Sequence, residues 1–146
     1  MNKSKTALLI FSFCVLFQMS SCKNDEIRIG TFKEIPAEAE EFICYFAKDK
    51  AEFQQHEYIC ADDYFKNAYA VINDEKIKFK SLTSSVSANR KDVHWVKKYK
   101  SEKYIMIIDM FLIKEIDDIK QQKGTITIKS NDGKKVVTTF YGECDF

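Results

Sequence analysis

Apolar and charged residues alternate in EKIKFKSL, residues 75–82, and this pattern constrains the fold more than any other feature of the chain. A repeat of two residues indicates a β-strand with one buried and one solvated face. Ile77 and Phe79 would then face a core. The solvated face would carry three lysines, Lys76, Lys78 and Lys80. The segment is therefore predicted to belong to a sheet with one face in water.

Two hairpins are predicted from turn residues beside such strands. Asn73 and Asp74 separate AYAVI from EKIKF and supply turn chemistry. Gly133 lies between TITIKS and VVTTFY, where it can adopt the positive φ that a tight hairpin turn requires. Both segments are predicted to form antiparallel strand pairs.

Further strands are predicted from apolar content. Residues 103–113, KYIMIIDMFLI, are apolar at both alternating sets of positions, which is typical of a central strand covered on both sides. The segments HEYICA and DVHWVKKY are additional candidates. IRIGTF, residues 27–32, is predicted to be an edge strand.

Two segments favour helix instead. IPAEAEEFICYF, residues 35–46, begins with Pro36 and strong helix formers, so it predicts a short helix that enters a strand at an undecided point. IKEIDDIKQQK, residues 113–123, repeats isoleucine at every third position and predicts a helical turn or two before Gly124.

Together these patterns predict a mainly β fold, a small antiparallel barrel or sandwich of about seven to eight strands with one or two short helices. The sequence contains no internal repeat and no sign of a second domain. Residues 31–146 are therefore predicted to form a single β-rich domain.

The N-terminus is predicted to be a cleaved leader. After Lys3 and Lys5, an apolar run of thirteen residues extends from Ala7 to Met19. A membrane-spanning helix needs about 20 such residues. A basic start, a short apolar stretch and small residues before a cut site are typical of a secretory signal. Residues 1–21 are therefore assigned as a signal peptide.

The residues MSSC, 19–22, resemble the lipobox of bacterial lipoproteins, although that family more often has an aliphatic residue at the position of Met19. The resemblance implies that Cys22 becomes the first residue of the processed chain and carries lipid. Lipoproteins of this kind carry several acyl chains, as stable anchoring requires. Residues 22–30 would then form a tether and an edge strand.

The expected location is a bacterial membrane, with the outer membrane favoured. KNDE, residues 23–26, resembles the charged tether that directs some Gram-negative lipoproteins to the outer leaflet, so the cell surface is one alternative and a plain solvated linker is the other. Without Lys3 and Lys5, 21 of the 23 basic residues remain beside 22 acidic ones. This balance, with no basic block, predicts neither nucleic acid binding nor a second, electrostatic attraction to membranes.

Three cysteines, Cys44, Cys60 and Cys144, remain after processing. An envelope compartment permits disulfides, so one bridge and one free thiol are expected. A Cys44–Cys144 bridge would stabilise the fold by up to about 4.7 kcal/mol, because it reduces the conformational entropy of the unfolded chain. A Cys44–Cys60 bridge would contribute about 3 kcal/mol. We favour the first pairing, with the others open, and we expect Cys60 to be a buried, inert thiol.

The sequence contains no specific catalytic, cofactor or metal motif. His56 and Cys60 have the spacing of zinc ligands on a helix, but their segment is predicted to be a strand. The pair Asp62-Asp63 is more typical of an acidic turn than of a cation or substrate site. Asp109 lies in the most apolar strand, where a charge must be paired, exposed or shifted in pKa.

The polar stretch TSSVSANRKD, residues 83–92, is predicted to be a loop because it lacks apolar periodicity. Loops on a rigid β scaffold commonly carry binding residues. Ser87, Asn89 and Arg90 are the candidate contacts, and Trp95 beside them would add an exposed aromatic ring. The alternative for Trp95 is a place in the core.

An early cysteine, the hairpin AYAVINDEKIKF, the segment SVSANR after it and a cysteine near the end together resemble the layout of the membrane-bound lysozyme inhibitor family. The resemblance implies an eight-stranded barrel that blocks the enzyme by inserting a loop. By the same resemblance, Ser87 would be the loop serine, and Cys44 and Cys144 would form the disulfide. The sequence departs from the family at Ala88, where a glycine is expected, and it lacks the family's loop tyrosine.

These observations predict a lipid-anchored envelope protein whose β domain is a binding or inhibitor module for a protein partner, without a cofactor or metal ion. The alternative is a structural or assembly lipoprotein that pairs its sheet edge within an envelope complex. A small hydrolase that uses Asp109 or the Asp62-Asp63 pair is the third hypothesis.

Overall fold

The computed structural model of the chain describes residues 26–34, 44–63, 66–88 and 93–145, without the side chains of residues 85–88. Cys22 and the signal peptide predicted before it lie outside these ranges. Among the described residues, no helix is long and apolar enough to cross a membrane.

Nine strands and one short helix make up the described structure. In chain order they are β1 Ile29–Gly30, β2 Cys44–Ala47, α1 Lys50–Gln54, β3 Cys60–Asp62, β4 Asn67–Ile72, β5 Glu75–Ala88, β6 Val93–Lys100, β7 Tyr104–Ile116, β8 Ile119–Ser130 and β9 Lys135–Asp145. The mainly β fold predicted from the sequence is therefore confirmed, and β6 coincides with the predicted strand DVHWVKKY.

Eight of the strands, β2 to β9, close into an antiparallel barrel. Their order is β4-β3-β2-β9-β8-β7-β6-β5, and pairing of β4 with β5 completes the ring. The extra strand β1 lies within the predicted edge strand and pairs with the end of β4, where Ile29 is opposite Ile72. The fold is thus the barrel alternative of the two that the sequence allowed.

The core fills the barrel with side chains from alternate positions of its strands. On β7, Met106, Ile108 and Met110 are fully buried, whereas Phe111 on the outer face is 43% exposed. The prediction that residues 103–113 are covered on both sides is therefore wrong. A closed barrel has a single dry interior, and here the outer wall of β7 is only partly covered.

Both predicted hairpins are confirmed. Asn73 and Asp74 form the β4–β5 turn with φ of 51° and 67°, a conformation that asparagine and aspartate adopt more readily than most residues. Gly133 has φ of 90° in the β8–β9 connection. These turn residues therefore predicted both strand pairs correctly.

The predicted helix at residues 113–123 is wrong, because this segment is the β7–β8 hairpin. Asp117 and Asp118 occupy its turn with φ of 48° and 69°, and Ile116 pairs with Ile119 across it. The helix-like spacing arises because the isoleucines lie at a register shift and on either side of a turn. Gly124 does not stop a helix; it allows β8 to approach the backbone of Asp109, where a Cβ atom would overlap.

The helix predicted within residues 35–46 falls mostly on residues outside the described ranges, and the described part, Cys44–Ala47, is strand β2. A helix that was not predicted, α1, follows it. Its N-cap is Asp49, whose side chain accepts a hydrogen bond from the backbone N–H of Glu52 at 2.9 Å.

The loop predicted at residues 83–92 is too long. Residues 83–88 belong to β5 and pair with β6, from Thr83 opposite Lys98 to Ala88 opposite Val93. This part of β5 extends past the start of β4, so it does not need the apolar alternation of a core strand. The connection between the strands is reduced to residues 89–92, which lie outside the described ranges.

The disulfide between Cys44 and Cys144 is confirmed. The two residues are opposite each other in the β2–β9 pair, with their Cα atoms 4.0 Å apart. Cys60 has a free thiol and is completely buried, as expected.

Candidate functional site

The barrel has two different ends, which we call proximal and distal. The proximal end, where β1 joins β4, contains three turns: residues 73–74, 101–103 and 131–134. The distal end contains the β7–β8 turn at residues 117–118, the last residues of β9 and the Cys44–Cys144 bridge. Strand β5 ends at Ala88 and β6 begins at Val93 at the distal end, opposite to the end at which β1 pairs with β4.

The predicted binding residues divide between this end and the core. Ser87 lies near the distal end of β5, in register with His94 of β6. Asn89 and Arg90 fall outside the described residues. Trp95 is only 7% exposed and packs in the core, so the core alternative applies and Trp95 presents no exposed ring.

A charged cluster that was not predicted from the sequence is buried inside the distal half of the barrel. Asp62 of β3 is 0% exposed and Lys97 of β6 is 2% exposed. The Lys97 ammonium group donates to Asp62 Oδ2 at 3.0 Å, and the Tyr99 hydroxyl donates to the same oxygen at 2.9 Å. These bonds join β3 and β6, which are not neighbours in the sheet, across the interior. Only Asp63 of the Asp62-Asp63 pair has the turn role expected from the sequence, because Asp62 points inward.

Burial shifts the pKa values of the groups in this cluster. Desolvation lowers the pKa of Lys97, and the carboxylate of Asp62 opposes that shift. Burial raises the pKa of Tyr99, and the charge of Asp62 raises it further. Burial likewise raises the pKa of the Cys60 thiol well above its ordinary value, which makes it a poor nucleophile. The cluster is thus suited to holding strands together rather than to reacting with solutes.

A signal for this cluster was present in the sequence of β6. Trp95, Lys97 and Tyr99 occupy alternate positions, so a strand that buries both aromatic rings must also bury the lysine between them. The partner could not be identified in the same way, because Asp62 is 35 residues away and its strand is only three residues long.

A second buried polar group lies beside the disulfide. Gln122 of β8 is 0% exposed, and its Nε2 atom has no hydrogen-bond partner among the described residues. Its Oε1 atom lies 3.6 Å from Cys144 Sγ, which carries no proton in the disulfide form. The distal half of the interior therefore contains polar groups, whereas the rest of the core is apolar.

On the outer wall of the distal half, His94 and Asp109 form a pair between β6 and β7. His94 Nε2 lies 2.6 Å from Asp109 Oδ1, and the imidazole ring stacks on Phe111 with ring centroids 4.3 Å apart. Asp109 is thus a partly exposed, paired carboxylate, one of the three states expected for it.

Exposed apolar side chains extend from this pair to the β7–β8 turn. They are Phe111, Ile113, Ile116 and Ile119. Apolar side chains grouped at one end of a barrel, with charged residues around them, are typical of a surface that contacts another protein.

The carboxylates considered for catalysis do not share a cleft. Asp62 lies inside the barrel, Asp109 lies on its outer wall, and Asp63 accepts the backbone N–H groups of Lys66 and Asn67. Among the described residues no group of three histidine, cysteine or acidic side chains could hold a metal ion.

Comparison with known proteins gives no assignment. No protein-family model matches the chain, and no curated protein or solved structure matches it either.

Proposed function

We propose that the chain is a bacterial lipoprotein whose β-barrel is a binding or inhibitor module, held on a membrane by lipid on Cys22. The observation that carries this proposal is the polarity of the barrel. The first described residues and β1 lie at the proximal end, whereas the candidate binding residue Ser87 lies near the distal end of β5. A partner that approaches the distal end would therefore meet no obstruction from the membrane.

The distal end has further properties of a binding surface. The Cys44–Cys144 bridge and the Asp62–Lys97 ion pair brace the strands beneath it. Phe111 and Ile113 offer apolar area on its outer wall. A rigid support for exposed side chains reduces the entropy lost on binding.

Inhibition of a lysozyme-type enzyme is the specific form of this proposal that the family resemblance favours. An eight-stranded barrel with a Cys44–Cys144 disulfide agrees with that layout. Purified protein added to a muramidase assay should then slow cell-wall hydrolysis, and replacement of Ser87 by alanine should weaken the effect. If the unmodified protein does not inhibit the enzyme, lysozyme inhibition is wrong, and the proposal of a binding module for another protein remains.

The anchor is tested by the mass of the protein from bacterial cells. The native chain should begin at Cys22 and carry acyl mass, whereas Cys22→Ser should retain the leader and lose the acyl mass. A native chain that begins at Met1 would contradict the proposal.

The binding end is tested by crosslinking in cells followed by purification of the lipoprotein. A triple variant with alanine at Ser87, Asn89 and Arg90 should capture less of the partners recovered with the unmodified protein. The matched control places alanine at three exposed positions of β9, Lys135, Val137 and Thr139. Equal capture by both triple variants would contradict a distal binding site.

An assembly role is the second candidate, and one observation favours it. Beyond Ser81, β5 pairs with β6 on one side, and no described strand pairs with its other side. This uncharged edge, LTSSVSA, could accept a strand from a larger envelope complex. A lipoprotein that crosslinks to no other protein in cells would argue against that role. A hydrolase role has less support, because its carboxylates are separated.

A further inference from the structure

Five exposed lysines form a continuous patch on the outer wall of β5 and β6, which we call the lysine face. It consists of Lys76, Lys78, Lys80, Lys98 and Lys100. Lys80 is directly opposite Lys100, and Lys98 is opposite Thr83 on the same wall. Because the lysines alternate with buried residues along each strand, they do not appear as a basic block in the sequence.

The lysine face has no acidic partner within ion-pair distance among the described residues. Two of the carboxylates near it in the chain are engaged elsewhere: Glu75 with Lys103 at 3.1 Å and Asp74 with Arg28 at 3.5 Å. Like charges opposite each other on two strands destabilise the sheet. The arrangement of Lys80 and Lys100 is therefore not explained by stability.

The lysine face lies near the extra strand β1, at the proximal end. Ile29 pairs with Ile72 at the end of β4, and Lys76 is the second residue of the adjacent strand β5, just beyond the turn. Cys22 precedes Glu26 by four residues, which span at most about 14 Å. Glu26 lies at the proximal end beside the β8–β9 turn, and the lysine face occupies the proximal half of the β5–β6 wall. The lipid and the lysine face would therefore lie at the same end of the barrel.

The opposite charge collects at the other end. Four exposed acidic residues surround the distal turn: Glu115, Asp117, Asp118 and Asp145. Lys114 and Lys120 lie among these acidic residues, so the distal turn has a small excess of negative charge, whereas the lysine face has five positive charges and no acidic partner within ion-pair distance among the described residues. Such a distribution orients a protein in the field of a charged surface.

We propose that the lysine face binds the anionic headgroups of the membrane in which the chain is anchored. This inference rests on the proposed lipid anchor and goes beyond it, since it assigns a second, electrostatic contact. Charge complementarity requires an anionic ligand, and the position of the lysines beside the anchor favours the lipid surface over a soluble acidic protein. Each lysine near such a surface contributes about 1 kcal/mol, and lipid with a basic patch is a pair of signals that holds proteins stably on membranes.

The contact orients the barrel. With the proximal half of the β5–β6 wall against the headgroups, the distal turn is the end of the barrel that lies farther from the contact. The contact leaves the distal end uncovered for a partner, so the lipid, the lysine face and the distal site act together.

The test uses the native lipoprotein reconstituted into two kinds of vesicle, one of phosphatidylcholine only and one that also contains phosphatidylglycerol. Lysines are modified with a water-soluble amine reagent and counted by mass spectrometry. In the anionic vesicles, modification of the lysine face should fall about fivefold, the factor that corresponds to about 1 kcal/mol per lysine. The exposed distal lysines Lys114 and Lys123 should be modified equally in both vesicles, and high salt should abolish the difference.

Two double variants distinguish the effect of the lysine face from the effect of net charge. Lys80→Gln with Lys98→Gln should return Lys76, Lys78 and Lys100 to the modification level seen in phosphatidylcholine. Lys114→Gln with Lys123→Gln removes the same charge from the distal half and should leave the protection unchanged.

The outcomes distinguish the two proposals. If the protein does not float with either vesicle in high salt, the lipid anchor fails. If it floats but its lysines are modified equally in both vesicles, the anchor stands and the membrane contact of the lysine face is wrong. Protection in whole cells without protection in anionic vesicles would assign the face to an acidic protein and would also overturn the inference.

Discussion

Strand β6 carries lysines in two opposite environments, one inside the barrel and one on its outer wall. Comparing them shows what each environment contributes. Lys97 is buried and bound to Asp62, whereas Lys98 and Lys100, one and three residues further on, are exposed and lack a described ion pair. A buried charge must be paired, and the pair stabilises the fold only while both members are present. An exposed charge contributes little to stability and remains available for another molecule. The interior of the barrel therefore determines its stability, and the wall is available for association.

The largest effect is expected where the interior loses one charge. Asp62→Ala leaves the Lys97 ammonium group buried without its partner and should lower the free energy of unfolding by about 3–5 kcal/mol. The measurement is urea denaturation followed by circular dichroism. Glu115→Ala, at an exposed position, is the control and should change stability by less than about 0.5 kcal/mol.

The same pair can be removed entirely. The double variant Asp62→Leu with Lys97→Met should recover most of the lost stability, because it leaves no unpaired buried charge. If Asp62→Ala is as stable as the unmodified protein, the interior does not depend on the pair as described.

The next largest effect is expected from the disulfide. Replacement of both Cys44 and Cys144 by alanine should lower the free energy of unfolding by about 2–5 kcal/mol, since the bridge restricts a loop of about 100 residues in the unfolded chain. Reductant should destabilise the unmodified protein and leave the double variant unaffected. An equal response of both proteins to reductant would contradict this.

A pH dependence is expected from the interior at alkaline pH. The pKa of Tyr99 is raised above its ordinary value of 10, so its contribution is fully present below pH 10 and is lost as the unfolded chain ionises above it. The loss for this one group is about 1.4 kcal/mol per pH unit. Lys97 has the opposite sign, because its lowered pKa makes folding more favourable as pH rises towards 10.5.

Tyr99→Phe isolates the contribution of the Tyr99 hydroxyl to this pH dependence. Above pH 10.5, where Lys97 no longer contributes a slope, the variant should lose stability less steeply than the unmodified protein in denaturation curves at successive pH values. Identical slopes would show that Tyr99 ionises in the folded barrel as it does in the unfolded chain.

The smallest effect is expected on the outer wall. Lys100→Gln removes one of two like charges opposite each other and should raise the free energy of unfolding by a few tenths of a kcal/mol at low salt. The gain should disappear at high salt. Lys123→Gln, opposite Phe111 and Tyr141, should have no such effect. If Lys100→Gln instead lowers the free energy of unfolding by several kcal/mol, the outer wall determines stability as the interior does, which would contradict the comparison.

The sequence predicted the local features of the fold better than the placement of its functional groups. The turns at Asn73-Asp74 and Gly133 were recognised because they depend on backbone conformations that few residues favour. The hairpin at Asp117-Asp118 was missed, because isoleucines on both sides of a turn and at a bulge imitate helical spacing. The extent of β5 was also missed, because a strand that projects past its neighbour lacks the apolar alternation of a core strand.

Alternation along the chain therefore determined by itself that this protein forms antiparallel strands with one wet face, and the turn residues determined how two pairs of them join. Only the tertiary structure decided that the strands close into a barrel, that Asp62 meets Lys97 inside it, and that lysines from β5 and β6 form one face. The physical reason is that strand propensity and turn geometry act between residues close in sequence. Ion pairs and charged surfaces depend on register between strands, which closure of the barrel establishes.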